Sequence, residues 1–255
     1  MSNRPPKTGG RLFEIDGWDV SVHEEGDGAL EWAKTTAAYL ININAPDRVL
    51  KHDHRSLVEL VHIGGAPYIV KKFTLQRTWF WFQLTSTAFP TLGEIACSNA
   101  LALSQIGLMT PRPSLLMQRV EQGMVVESWL VYPYLDGRPA TVADAPELVA
   151  YVKRMHEAGW IHRDPHPGNF IITDSGLATL DPIKARRNGN RYLKAYDVVL
   201  MANDYPEAIQ LYGRERLGPW LPLARSGHSI VRYYRKTKRG IRRIMGIKGN
   251  AGSFN

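Results

Sequence analysis

His162-Arg163-Asp164-Pro165-His166-Pro167-Gly168-Asn169 is the stretch that decides how this 255-residue chain is read. It sets an acid five residues before an amide, directly after a short apolar stretch. Upstream, residues 146–159 read as a helix with Leu148, Val149, Val152 and Met155 on one face, and Gly159 closes it. Downstream, 170–172 and 177–180 read as two short strands split by Thr173-Asp174-Ser175-Gly176, a hairpin turn signal. The second strand runs into Asp181.

That spacing resembles the catalytic loop H-R-D-x-x-x-x-N of protein-kinase-like phosphotransferases. The chemistry needs both ends of the loop. An acid, Asp164, orients an attacking hydroxyl and accepts its proton late, while the amide oxygen of Asn169 on the same loop holds a magnesium ion. A kinase-like fold presents its second metal-binding Asp just after such a hairpin, where Asp181 falls. Pro182-Ile183 stand in place of the usual Phe-Gly, a departure that keeps the metal ligand and removes the signature of an in-and-out loop switch.

Composition bounds the rest. Apolar residues make up 44% of the chain, enough for one large domain or two small lobes with their own cores. No run of eighteen apolar residues occurs and residues 1–11 are polar, so a cytoplasmic protein is expected. The single cysteine, Cys97, fits a reducing compartment and reads as a buried, inert thiol. Net charge is +8, and residues 229–248 carry eight basic residues and no acid. Ile230, Tyr234, Ile241 and Met245 recur there at helical spacing, so the tail reads either as a basic amphipathic helix interrupted by Gly240, suited to an anionic membrane, or as a solvated basic tail. Zinc-finger spacing and RNA-recognition motifs are missing, which argues against nucleic acid.

Residues 1–45 read as an N-terminal extension with helix-prone 29–39. Residues 47–50, 57–62 and 68–73 read as three antiparallel strands. In the third, Tyr68-Ile69-Val70-Lys71 resembles the V-A-I-K strand whose lysine reaches the nucleotide phosphates. Lys71 is preferred, and Lys72, on the opposite face, stays open, as does a Lys-Lys pair that merely guards an edge strand. Between Lys72 and Arg119 the acidic residue is Glu94, which suits either an ion pair to that lysine or a capping box with Thr91. A glycine-rich phosphate loop is missing: His52-Asp53-His54-Arg55-Ser56 occupies its place. Residues 129–137 resemble the strand and hinge where backbone groups meet adenine, which assigns Tyr132 and Tyr134 to the nucleotide. The aromatic cluster Trp79, Phe80, Trp81, Phe82 and Phe89 is too dense for one helix face, so part of it is expected at the surface.

Over residues 47–245 the layout resembles the bacterial lipopolysaccharide core kinases, the heptose kinases above all. The motifs that carry this are Tyr68-Ile69-Val70-Lys71-Lys72-Phe73, Arg77-Thr78-Trp79-Phe80-Trp81-Phe82, residues 164–172, and Asp181 followed by basic residues. The resemblance implies an α+β, protein-kinase-like two-lobe fold: an N-lobe (46–134) with a small antiparallel sheet and one main helix, a mostly helical C-lobe (135–228), and a basic tail (229–255). It implies an ATP- and magnesium-dependent phosphotransferase acting on a heptose hydroxyl of the lipopolysaccharide core oligosaccharide, at the cytoplasmic face of the inner membrane. Asp164 is then the base, Asn169 and Asp181 the metal ligands, Lys71 and Glu94 the phosphate anchors, and His162, Arg163 and His166 supports of the loop. A Kdo or other small-molecule or lipid-linked acceptor, and a membrane-associated pseudokinase scaffold, are the alternatives. No A-P-E segment follows Asp181, which argues against a peptide substrate. Lys184, Arg186, Arg187, Arg191 and Lys194 are instead candidates to meet an anionic sugar.

Overall fold

Alternating apolar and polar residues build the first half of the chain. In the computed structural model, which describes residues 10–43, 45–74 and 80–244, strands β1 (Arg11–Ile15), β2 (Trp18–Val22), β3 (Arg48–His52), β4 (Leu57–Ile63), β5 (Ala66–Lys72), β6 (Leu115–Glu121) and β7 (Met124–Pro133) form one sheet. Their spatial order is β1-β2-β6-β7-β5-β4-β3, and every neighbouring pair is antiparallel. The chain divides into the units Met1–Asp136 and Gly137–Asn255.

Each face of the sheet carries its own helix. On one, Trp18, Val20 and Val22 of β2 join Val70, Met117, Trp129 and Val131, and helix α1 (Ala29–Asn42) adds Ala33, Ala37 and Leu40 to that core. On the other lies α3 (Leu92–Gln105), preceded by the short helix α2 (Phe80–Thr85). A Cβ on Gly93 would sit 2.1 Å from Ser128 Oγ and 3.0 Å from Leu116 Cδ1. Only glycine lets the first turn of α3 lie directly on β6 and β7.

The second unit is mostly helical. Strand β8 (Arg138–Pro139) pairs with the hairpin β10 (Phe170–Thr173) and β11 (Gly176–Thr179), and β9 (Trp160–Ile161) pairs with β12 (Arg186–Arg187). Around them lie α4 (Ala145–Glu157), α5 (Arg191–Met201), α6 (Ala208–Tyr212), α7 (Arg214–Leu217) and α8 (Trp220–Ile244). Leu148, Tyr151, Val152 and Met155 of α4 are wholly buried. At the start of the unit, a Cβ on Gly137 (φ 158°) would meet Ile172 O at 2.3 Å, so the close approach to β10 again requires glycine.

This is the expected α+β architecture, with an antiparallel sheet and its main helix first and a mostly helical unit after it. Three expectations change. Residues read as an N-terminal extension are part of the first unit: β2 pairs with β6 from Trp18↔Arg119 to Val22↔Leu115, and α1 seals one sheet face. The signal was present in the strict alternation of Trp18, Val20 and Val22. Strand β5 lies between β4 and β7, so Lys71 and Lys72 do not guard an edge. Gly240 does not interrupt the last helix, which runs through it to Ile244. Arg77, Thr78, Trp79, Met245 and Lys248 lie outside the described residues. Of the aromatic cluster, Trp81 and Phe89 are exposed.

Candidate active site

Pairing separates the two lysines of β5. Lys71 is the cross-strand partner of Leu130, whose other neighbour is Leu116, so its side chain stands on the α3 face with Ser128. Lys72 stands on the α1 face, where its ammonium bridges Glu59 at 2.8 Å and lies 4.4 Å over the Trp129 ring. A lysine so engaged is a structural part of that face. Lys71 is buried, with Nζ 5.5 Å from the Phe73 ring centroid.

Glu94 shares the α3 face and closes the capping box: its backbone N–H donates to Thr91 Oγ1 at 3.1 Å, and its Oε2 accepts from Thr91 N at 2.6 Å. The capping role is therefore filled, and the residue is also buried. Cys97, one turn on, is held beside His23 (Sγ to Nε2 3.3 Å). Burial and then the Glu94 carboxylate push its thiol up to about 12, while burial and Arg112 pull His23 down to about 4. The pair is neutral and inert, as expected of Cys97.

The turn between β3 and β4 closes on itself. Asp53 Oδ1 accepts from the backbone N–H groups of Arg55 and Ser56, both at 2.8 Å, and Lys51 bridges its Oδ2 at 3.0 Å. Burial would raise the Asp53 carboxyl, yet these two amides and Lys51 bring it down to about 2. The amides that a glycine-rich loop offers to phosphate are here occupied by a side chain of the same turn. At the other end of the sheet Tyr132 is buried and Tyr134 partly exposed. The amide of Tyr134 donates to Pro67 O at 3.0 Å and is thereby engaged within the first unit.

The loop that follows β9 is held from beneath by a residue the spacing argument did not find. Asp197, buried in the middle of α5, accepts from His162 N at 2.6 Å and from His156 Nε2 at 3.1 Å on Oδ2, and from Arg163 N at 2.8 Å on Oδ1. Arg163 has φ +67°, a left-handed conformation that costs a non-glycine residue about 1–3 kcal/mol. The carboxylate anchoring both flanking amides holds the backbone there. A carboxylate between Ala195, Val198 and Val199 on the buried stripe of an amphipathic helix was the available signal.

His162 is fully buried and stacks on Phe170 at 5.0 Å. Burial lowers its pKa despite the carboxylates of Asp197, Asp164 and Asp181. The ring is neutral: Nδ1 accepts the Asp164 amide at 3.3 Å, so the proton sits on Nε2 and is donated to Thr179 Oγ1 at 3.0 Å. Thr179 in turn donates to Asn169 O at 3.3 Å. His162 thus supports the loop through the hairpin strand. His166 also braces it, its ring nitrogen accepting from Gly168 N at 3.1 Å.

Asp164 and Asn169 meet in this framework, and the carboxylates of Asp164 and Asp181 both act on the His162 ring. Asn169 Nδ2 donates to Asp164 O at 2.9 Å, which turns the amide oxygen away and leaves it available to a cation. Leu180 N donates to Asn169 O at 2.8 Å, tying the residue before Asp181 to the loop. An amide oxygen and one carboxylate fit magnesium, which keeps its waters and takes its other ligands from phosphate. They fit no all-protein cage, and among the described residues no group of three His, Cys, Asp or Glu is placed to hold a metal.

The cations after Asp181 divide. Arg186, Arg187 and Arg191 are exposed. Lys194 turns inward and donates to His156 O at the C-terminal end of α4, so it caps that helix and does not face an acceptor. Lys184 forms an ion pair with Asp164, Nζ to Oδ2 2.6 Å.

No family model matches the sequence, and no curated protein matches it. Among solved structures, the chain is similar to WaaP in complex with acyl carrier protein, at 15% identity and TM-score 0.49, over 86% of this chain and 98% of that one. It is also similar to the MAP kinase LmaMPK10 from Leishmania major, at 15% identity and TM-score 0.42, over 73% of this chain and 62% of that one. Neither likeness, at 15% identity, assigns a substrate.

Proposed function

We propose that this chain is an ATP- and magnesium-dependent phosphotransferase whose acceptor is a sugar hydroxyl, a heptose of the lipopolysaccharide inner core. One observation carries the reading: Asn169 Nδ2 donates to Asp164 O and its carbonyl accepts from Leu180 N, so the loop is tied to the residue before Asp181, with the amide oxygen of Asn169 left free of its own loop. Asp164 aligns the acceptor hydroxyl and takes its proton as the oxygen attacks the γ-phosphorus in line. Lys71, on the α3 face with Glu94, anchors the nucleotide phosphates. Asn169 and Asp181 are the residues that would hold magnesium, which supplies charge neutralisation at the phosphate oxygens. Catalysis is then positioning and electrostatics.

The last helix supports work at the cytoplasmic face of an anionic inner membrane. Its start packs on α5 through Leu221, Ala224 and a T-shaped His228–Tyr196 contact at 5.9 Å. Beyond that, Ile230, Tyr233 and Tyr234 are more than 60% exposed, in a stretch (229–244) with seven basic residues and no acid. No helix among the described residues is long and apolar enough to cross a membrane. A pseudokinase scaffold is the second reading, favoured by the self-closed β3–β4 turn.

Asp164→Ala is the test. Its melting temperature is expected to stay within about 3 °C of wild type, because the Lys184 pair is half exposed and contributes little, while ATP turnover with purified core oligosaccharide falls by about 10²–10⁴. Wild-type turnover in that variant removes the assignment of Asp164. Mg-ATP binding without turnover by the wild-type chain selects the scaffold. Mass spectrometry of core oligosaccharide from a deletion strain names the acceptor: loss of one phosphate is expected, and an unchanged core rejects the substrate class.

A further inference from the structure

An ammonium resting on Asp164 competes with the acceptor hydroxyl for the same carboxylate oxygen. Lys184 Nζ lies 2.6 Å from Asp164 Oδ2, and each side chain is between 40 and 50% exposed. Building on the phosphotransferase reading above, we propose that Lys184 is a catalytic residue. When nucleotide and acceptor bind, its ammonium leaves Asp164 and donates to an oxygen of the γ-phosphoryl group in transfer.

The backbone makes this contact reproducible. Pro182–Lys184 form a single 3-10 turn closed by Ala185 N donating to Pro182 O at 2.9 Å. Two residues after Lys184, Arg186 pairs with Ile161, three residues before Asp164. Both ends of the ion pair are therefore carried by the same two-stranded ribbon. Asp181 is the N-cap of that 3-10 turn, so one short segment carries both the ammonium and the proposed metal ligand. Two other bases of this region are engaged elsewhere: the His166 ring accepts from Gly168 N and lies 3.9 Å from Asp204, and Lys194 caps α4. Because the Lys184–Asp164 pair is half exposed, it can exchange partners without desolvating a buried charge.

In the step itself the acceptor oxygen forms its bond to the γ-phosphorus as the bond to the β–γ bridging oxygen breaks. The electron pair of that bond stays on ADP, and the hydroxyl proton passes to the Asp164 oxygen that Lys184 has released. Lys184 gains and loses no proton; it offsets charge on the group in flight.

Calorimetry of the full chain with Mg-ADP, with and without aluminium fluoride as a mimic of that group, tests the proposal. Wild type is expected to bind Mg-ADP, and about 10-fold or more tightly with fluoride present. Lys184→Ala should bind Mg-ADP within about 2-fold of wild type and lose the fluoride enhancement, with Lys184→Arg recovering part of it. In turnover with core oligosaccharide, kcat of Lys184→Ala should fall about 100-fold with KM for ATP nearly unchanged. Equal enhancement in wild type and Lys184→Ala, or none in wild type, overturns the role of Lys184 and leaves the phosphotransferase reading standing. Failure of wild type to bind Mg-ADP overturns that reading itself.

Discussion

Two turns in this molecule are closed by an aspartate accepting from two consecutive backbone amides, and they are opposites in every other respect. Asp53 binds the amides of Arg55 and Ser56 from within its own turn. Asp197 binds those of His162 and Arg163 from a helix more than thirty residues away, wholly buried. A local aspartate makes a turn. A distant, buried one sets a loop rigidly relative to a helix, and it is beside the second that the candidate catalytic groups stand. Positioning a reacting group to a fraction of an ångström requires support that is itself locked by packing, which the β3–β4 turn lacks.

Removing the two carboxylates in turn gives the sharpest contrast. Asp197→Ala leaves the amides of His162 and Arg163 and the ring of His156 buried without their acceptor, and is expected to cost about 3–5 kcal/mol in urea unfolding and to abolish turnover. A stable, active Asp197→Ala protein would break the comparison.

Acid should act next, and on the two turns in different windows. His162 faces Asp164, Asp181, Asp197 and His156, and burial still sets its pKa below the ordinary 6.5. The unfolded chain therefore binds the proton first, so stability falls as pH drops below about 6.5 and flattens once the folded pKa is passed. His23, lowered to about 4, works in the same direction between 6.5 and 4. Asp53, lowered from 3.8 to about 2, contributes stability that is full above 3.8 and is lost as pH falls through 2. Unfolding midpoints at pH 7 and 5 should thus differ, with the His23→Gln variant showing a smaller difference; equal midpoints in wild type would show that the buried rings are not neutral.

The smallest effect is expected from Asp53→Ala: about 1 kcal/mol in stability and less than about 3-fold in the Kd for Mg-ATP. A large loss of nucleotide binding would make this turn a phosphate contact after all, and would dissolve the contrast.

Much of the site was legible in the sequence because it is local. Asp164 and Asn169 lie in one loop, and the hairpin signal at 173–176 delivers Asp181 beside them, so connectivity alone brings the three together. Helix α4 was equally plain, since its apolar positions repeat with the helical period. Asp197 was not legible: nothing in its neighbourhood announces a partner, apart from a charge placed on an apolar stripe. Lys194 misled for the reverse reason, because a lysine beside exposed arginines reads as part of a basic patch until its carbonyl partner is seen. The first two strands were missed as sheet members because their partner β6 lies far along the chain.

By itself the sequence determined the loop, the hairpin, the helix before them and the residue types available for phosphoryl chemistry, since short separations and side-chain periodicity dictate these. Only the tertiary structure decided which lysine of β5 stands beside α3, which carboxylate holds the loop, and what Lys184 touches. Those depend on which face of each element is buried and against what, and that is settled by pairing and packing between segments the chain leaves far apart.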